Sequence, residues 1–308
     1  LFEPLTAMSK APRVMSLQPR PWGFLGSFNA MASPCELLMA VEDEYIARQM
    51  LSIAYEEAKR IERKFSRFIE GNVVWRLNHA QGETTSIDAE TMHLFQFAQQ
   101  CFQLSESAFD ISACSLMALW RFDGSHRVPL QTDIDAALLN VGFARIALTD
   151  KTVCMPADMS VDFGGIGKEY AVDRTAQILE NRWPNNSVLV NFGGDIACPI
   201  TKTDGWQVGI ENPYQLDNAA ALLTIRQGAL ATSGNTRRYI EVDGKRYGHI
   251  INPQTGYPVE QAPLSVTVLA PNCVMAGMLA TMSMLKGRDA EDFLQQQGVD
   301  FKVFRGDE

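Results

Sequence analysis

Helix-patterned and strand-patterned segments are segregated along this chain, and that constrains its fold more than any single motif. Up to about residue 187 the apolar periodicity is mainly helical; beyond it, short β-rich runs dominate. A doubly wound sheet needs strict βα alternation, which is largely missing, so the fold class expected is α+β.

The helical half opens with "EDEYIARQMLSIAYEEAKRIERKF", in which apolar residues recur at helical spacing between charges. "FSRFIEGNVVWRLNHAQGETTSI" reads as a Gly- and Asn-punctuated loop, and "DAETMHLFQFAQQCFQLSES" as a helix capped by Asp88. In "TDIDAALLNVG", Thr132 fits an N-cap, Asp135 a capping-box partner and Gly142 the stop. "VDFGGIGKEYAVDRTAQILENRW" runs from extended through Gly-rich to helical and ends at Pro184. The strand half contains "SVLVNFGGD", "WQVGIENP", "ALLTIRQGALATSG", a hairpin turning at Asp243-Gly244, and "LSVTVLAP". The apolar helix "MAGMLATMSM" follows, then a last helix and strand. Residues 1–22 are aperiodic and Pro-containing, a mobile arm; residues 23–308 form one domain, helix-rich first and strand-rich second.

The net charge of −9 argues against nucleic acid as the main partner, because phosphate backbones need clustered Lys and Arg. The six Cys include no CxxC pair, so zinc is not expected and buried free thiols are. The opening stretch has no continuous apolar core and no lipobox-like Cys; a cytoplasmic or trimmed periplasmic form is expected.

Several short stretches carry potential chemistry. "DFGGIGKEYAVD" places glycines before a helix starting near Lys168, the layout of either an anion site or a tight structural turn. It is neither a Walker A loop nor a complete dinucleotide fingerprint. "NFGGD" follows an apolar strand, where a Gly pair marks close ligand approach or a bulge. "TSGNTRRY" and "GHIINPQTGYP" are dense in turn residues, and His249, one of four His, lies in the second. "AFDIS" sets Asp110 before a helix, where it or Ser112 suits an N-cap.

Taken in order, "AMASPCEL", "FSRF", "AFDIS", "LWRFDG", "VDFGGIGKEYAVD", "LVNFGGD", "ATSGNTRRY", "YGHIINPQTGYPV" and "VTVLAPNCVMAGMLAT" resemble the FAD:protein FMN transferase (ApbE) family over about residues 28–290. The resemblance implies an α+β domain with mixed or antiparallel sheets and flanking helices. It implies an enzyme that uses Mg²⁺ to split FAD and transfers FMN to a Thr or Ser hydroxyl of an acceptor flavoprotein, releasing AMP. FAD hydrolysis, or FAD binding without transfer, are the alternatives. Residue by residue, Met31, Phe68, Ala108, Phe109, Asp110 and Ile251 would line the FAD pocket, with Asp162 and Lys168 toward the pyrophosphate or adenosine. The Gly165 carbonyl and the Thr281 hydroxyl would face the metal, and His249 would be the general base.

The chain departs from the family pattern where it matters for that metal. "ADxxxT" becomes "AGMLAT", with Gly277 in place of the Asp a turn before Thr281. A weaker cation site is expected, rescued by a carboxylate such as Asp289 or strengthened by Gly277→Asp. Ala32, Ser112, Glu169 and Asn252 stand where the pattern has Gly, Thr, Gly and Asp.

Overall fold

A computed structural model of the chain describes residues 15–125 and 127–306. Strands β1 (Met15–Arg20), β2 (Gly23–Ala30) and β3 (Ser33–Met39) lead into helix α1 (Glu44–Phe65). Next come α2 (Val73–Asn78), β4 (Thr85–Ser86), α3 (Ala89–Leu104), α4 (Cys114–Leu119), α5 (Gln131–Leu138), β5 (Ala147–Thr149), β6 (Thr152–Cys154) and α6 (Gly167–Arg182). The strand-rich half holds β7 (Val188–Phe192), β8 (Asp195–Cys198), β9 (Trp206–Glu211), β10 (Ala219–Ile225), β11 (Gly228–Gly234), β12 (Tyr239–Val242), β13 (Lys245–Gly248) and β14 (Ser265–Ala270). Helices α7 (Cys273–Lys286) and α8 (Ala290–Gln297) precede β15 (Phe301–Phe304).

Eight strands form one sheet in the order β1-β2-β3-β7-β8-β11-β14-β15, and each neighbouring pair in it is antiparallel. The α+β expectation is met, with an antiparallel rather than mixed main sheet. Its core joins inward residues of β3 and β7, such as Leu37, Val188 and Val190, to Met50, Ala54 and Ile61 of α1. Those α1 positions recur at helical spacing, and Asp43 caps the helix by accepting from the Tyr45 N–H. Helix α7 packs on β11 and β14 and also meets α6.

Several local expectations need correction. Of the proposed arm 1–22, residues 1–14 lie outside the described residues, and residues 15–20 are β1, paired with β2. Pro19 hides this strand from a sequence reading, but β1 is the sheet edge, where a missing N–H costs no ladder bond. The 65–87 segment is not all loop: Asn72 accepts from the Trp75 N–H and starts α2. Helix α5 begins at Gln131, and Leu130 precedes it without a side-chain cap, so Thr132 is not the N-cap. Asp88 does cap α3, accepting from the Thr91 N–H, and the β12–β13 hairpin does turn at Asp243 and Gly244, both with positive φ. The six Cys are free, and no helix among the described residues is long and apolar enough to cross a membrane.

Candidate functional site

The segment 162–169, a loop that becomes the first turn of α6, is the axis of the site. Its first half meets the aromatic segments. The Asp162 N–H donates to the Ile111 carbonyl at 2.9 Å, and its carboxylate accepts from the Gly164 N–H and lies 3.5 Å from Arg67 Nε. A Cβ on Gly165 would sit 3.4 Å from the Phe109 ring, so the backbone there packs close to that ring. Arg67 also stacks 4.7 Å over Phe68, which is 82% exposed. The structure therefore brings Asp162, Gly165, Phe68 and Phe109 into one neighbourhood.

Ala108 sits half-buried beside Phe109. Asp110 is occupied internally: Oδ1 accepts from the Ser112 N–H and hydroxyl, and Oδ2 from the Phe143 N–H. It fixes the turn that presents Phe109. It also lines a cleft of about 270 Å³ with Gly142, Pro253 and Gln254, where the "AFD" and "PQTG" segments meet.

The second half of the loop meets the sheet. Lys168 Nζ lies 2.8 Å from Asp195 Oδ2, and Asp195 is only 3% exposed. Burial opposes the Lys168 charge, but the Asp195 carboxylate outweighs it, and the lysine pKa stays above its ordinary value. Lys168 thus neutralises a buried acid instead of standing free for a phosphate. Gly193, at φ +63, leaves room beside it: a Cβ there would lie 2.8 Å from the Ser33 side chain. Ser33 ends the β2–β3 turn, in which Met31 and Ala32 both hold positive φ, and the Met31 N–H donates to Glu62 Oε1 at 2.7 Å. Two consecutive non-glycine residues in that region are strained backbone, held here by the hairpin and by Glu62.

Helices α6 and α7 complete this side. Asp173 accepts from the Cys273 and Val274 N–H groups at 2.7 and 2.8 Å, and Asn272 accepts from the Met275 N–H. One turn along, Glu169 lies against Gly277: a Cβ added there would be 2.6 Å from Glu169 Cγ and 2.9 Å from Oε1. An Asp at 277 therefore cannot enter without displacing Glu169, and the expectation that it simply strengthens a cation site is revised. Burial, then the negative charge of Asp195, push the Glu169 carboxyl up to about 8 against the pull of Lys168. Its Oε2 is buried without a hydrogen-bond partner. The Thr281 and Ser233 hydroxyls lie 2.8 Å apart. Asp289 is exposed beyond the far end of α7 and is not the substitute carboxylate.

His249 joins through the end of β11. Its backbone N–H donates to Asn235 Oδ1 at 3.1 Å, and Asn235 is two residues from Ser233. A Cβ on Gly248 would be 2.4 Å from the Asn235 side chain, so the glycine permits this contact. Burial first, then the positive charge of Arg238, lower the imidazole pKa to about 4, offset in part by a hydrogen bond with the Arg238 backbone. Its Nδ1 is buried without a partner. Ile251 packs in a core cluster with Leu116, Trp120 and Ile134, so it supports the loop rather than walling a pocket.

The described residues contain no group of three or more His, Cys, Asp or Glu placed to hold a metal. A hard cation, however, also takes hydroxyl and carbonyl oxygens. The Thr281 hydroxyl, the Gly165 carbonyl and an orphaned carboxylate oxygen are donors of the right chemistry.

The sequence model of the ApbE family matches residues 31–303. The chain belongs to the ApbE family. It is 32% identical over 219 residues to the FAD:protein FMN transferase of Vibrio cholerae, covering 68% of this chain and 65% of that one, so the match spans just under two thirds of that relative's length. It is 31% identical to a Klebsiella pneumoniae FAD:protein FMN transferase, covering 82% and 79% of the two chains. The crystal structure of the Thermotoga maritima ApbE protein superposes with a TM-score of 0.82 at 30% identity, covering 91% and 93% of the two chains.

Within this ApbE site, Asp195, Asn235, Ser233 and Glu169 were not singled out by sequence as site residues. The signals were there in part: "NFGGD" ends in Asp195, and "TSGN" holds Ser233 and Asn235. Only the packing shows that "TSGN" ties Asp195, Thr281 and His249 together, the first through the Thr232 backbone.

Proposed function

We propose that this protein transfers FMN from FAD to a Thr or Ser hydroxyl of an acceptor flavoprotein, with release of AMP. One observation carries the reading. The motif segments 162–169, 193–195 and 232–235, all inside the family match, converge on the first turns of α7 with an enclosed ion pair among them.

In the reaction, the acceptor hydroxyl oxygen bonds to the phosphorus of the FMN half, the bond from that phosphorus to the bridging oxygen breaks, and AMP leaves with that oxygen. The hydroxyl proton goes to His249, which is neutral at physiological pH because its pKa lies near 4. Such transfers depend mostly on positioning and charge neutralisation. The exposed Phe68 offers a face on which a flavin or adenine ring can stack, and the buried Phe109 backs the Gly165 backbone. The Lys168–Asp195 pair and the Met31 hairpin hold the loop and strand ends that border the pyrophosphate. Thr281 and the Gly165 carbonyl would hold Mg²⁺, which supplies neutralisation of pyrophosphate charge when bound.

The test is AMP release from FAD with Mg²⁺, with and without an acceptor domain carrying a target Thr. AMP formed only with the acceptor supports transfer. AMP formed without it indicates FAD hydrolysis, and bound FAD with no AMP in either case indicates a flavin-binding protein.

A further inference from the structure

We propose that Glu169, reaching across from α6, supplies the carboxylate of the divalent-cation site, and that Gly277 is the vacancy on α7 that admits it. The cation's purpose, and the choice of Thr281 and the Gly165 carbonyl as its other ligands, rest on the flavin-transfer reading; the place of Glu169 rests on packing.

The two helices run antiparallel, and their contacts fix a register. Asp173 meets Cys273 and Val274 at the start of α7. Four residues earlier, Glu169 meets Gly277, four residues further along α7. Thr281 lies one turn beyond Gly277 on α7, and Gly165 lies in the loop just before α6 begins at Gly167. The Glu169 carboxyl at Gly277 and the Thr281 hydroxyl are thus set a turn apart along α7, and the loop carrying the Gly165 carbonyl leads into the first turn of α6. These are oxygen ligands suited to Mg²⁺ or Mn²⁺.

Gly277 needs a reason. Glycine inside a helix costs about 1 kcal/mol relative to alanine. The reason is steric, since even a methyl at 277 would fall 2.6 Å from Glu169 Cγ. Glu169 needs one too. Its Oε2 is enclosed without a partner, and the nearby ammonium of Lys168 is engaged by Asp195. An enclosed carboxyl oxygen with no hydrogen-bond partner is costly, and a bound cation would complete it. The departures at 169 and 277 are thus one exchange: the carboxylate has moved from one helix to the helix facing it.

The test is a Mn²⁺ titration of the full chain without FAD, with free Mn²⁺ read by electron paramagnetic resonance. Glu169→Gln, which keeps the shape and removes the charge, is expected to weaken Mn²⁺ by at least about tenfold. Gly277→Asp alone is expected to bind no better than wild type, because Glu169 already fills the space. The double variant Glu169→Gly/Gly277→Asp returns the carboxylate to α7 and is expected to bind within a few-fold of wild type; it decides the matter if Glu169→Gln does not fold. Three results would overturn the proposal: no Mn²⁺ binding by wild type, unchanged affinity in Glu169→Gln, or a folded double variant that has lost the ion. AMP release by the same wild-type sample separates the two readings. AMP formed while Glu169→Gln keeps its Mn²⁺ sinks only the ligand assignment; Mn²⁺ bound through Glu169 with no AMP sinks only the transfer reading.

Discussion

Lys168 and Asp195 form an enclosed ion pair, 2.8 Å apart, that joins the start of α6 to the first residue of β8. The pair fixes the start of α6, and with it the loop that leads into the helix, against the sheet. Removing one partner leaves the other buried and unmatched. Asp195→Asn is expected to cost about 3 kcal/mol, the low end for breaking such a pair, because Lys168 keeps some access to water. Urea denaturation measures it. A Lys168→Met/Asp195→Leu double variant should recover much of the loss, and a double variant as unstable as Asp195→Asn would contradict this account.

His249 is expected to act on the acceptor's proton and not on FAD affinity. His249→Ala should lower the transfer rate by about a hundredfold or more while FAD affinity stays within a few-fold. Because burial and Arg238 hold its pKa near 4, the base is already neutral at pH 7. The rate should therefore stay level as pH falls from 7 and drop only on approaching about 4. A rate that halves near the ordinary histidine value of 6.5, or equal loss of binding and rate in the variant, would remove His249 from this role.

A charged network ties three helices behind the site. Glu90 of α3 accepts from Arg60 and Lys64 of α1 and from the Tyr170 hydroxyl of α6. The Arg60 guanidinium, reinforced by Lys64 and Tyr170 against the effect of burial, holds the Glu90 carboxyl down at about 2, from 4.5. A depressed carboxyl stabilises the fold above its unfolded value and loses that contribution as pH falls toward the folded one. The melting temperature is expected to decline from about pH 4.5 to about 2, and less steeply in Glu90→Gln. Parallel declines in the two proteins would show that Glu90 carries none of it.

Ala32 holds φ +55 beside Met31 at φ +50 in the β2–β3 turn. Glycine adopts that conformation without the clash of a Cβ. Ala32→Gly is expected to stabilise the fold by about 1 kcal/mol, the relief of strain exceeding the added freedom of the unfolded chain. A lower melting temperature in this variant would contradict the assignment of strain.

Much of this architecture is legible in the sequence because it is written locally. Asp88 caps α3, Asp243-Gly244 turns a hairpin, and the helical spacing in α1 selects its buried face. The features that escape are those decided at a distance. Strand β1 exists because β2 offers it an edge, which no pattern within Met15–Arg20 announces. Leu130 precedes α5 in place of the expected Thr132 cap. The site divides in the same way: Asp162, Lys168, Thr281 and His249 lie in recognisable motifs, but Asp195, Asn235 and Glu169 acquire meaning only from what they touch. Glu169 and Gly277 are 108 positions apart in the chain. Each alone looks like the loss of a family residue, and only their contact makes them complementary.

The most direct test of the central claim is the mass of an acceptor flavoprotein domain after incubation with this protein, FAD and Mg²⁺. The account predicts a covalent gain equal to FMN less water, confined to a Thr or Ser, with AMP formed in equal amount. An acceptor of unchanged mass, with FAD demonstrably bound to the protein, would contradict it.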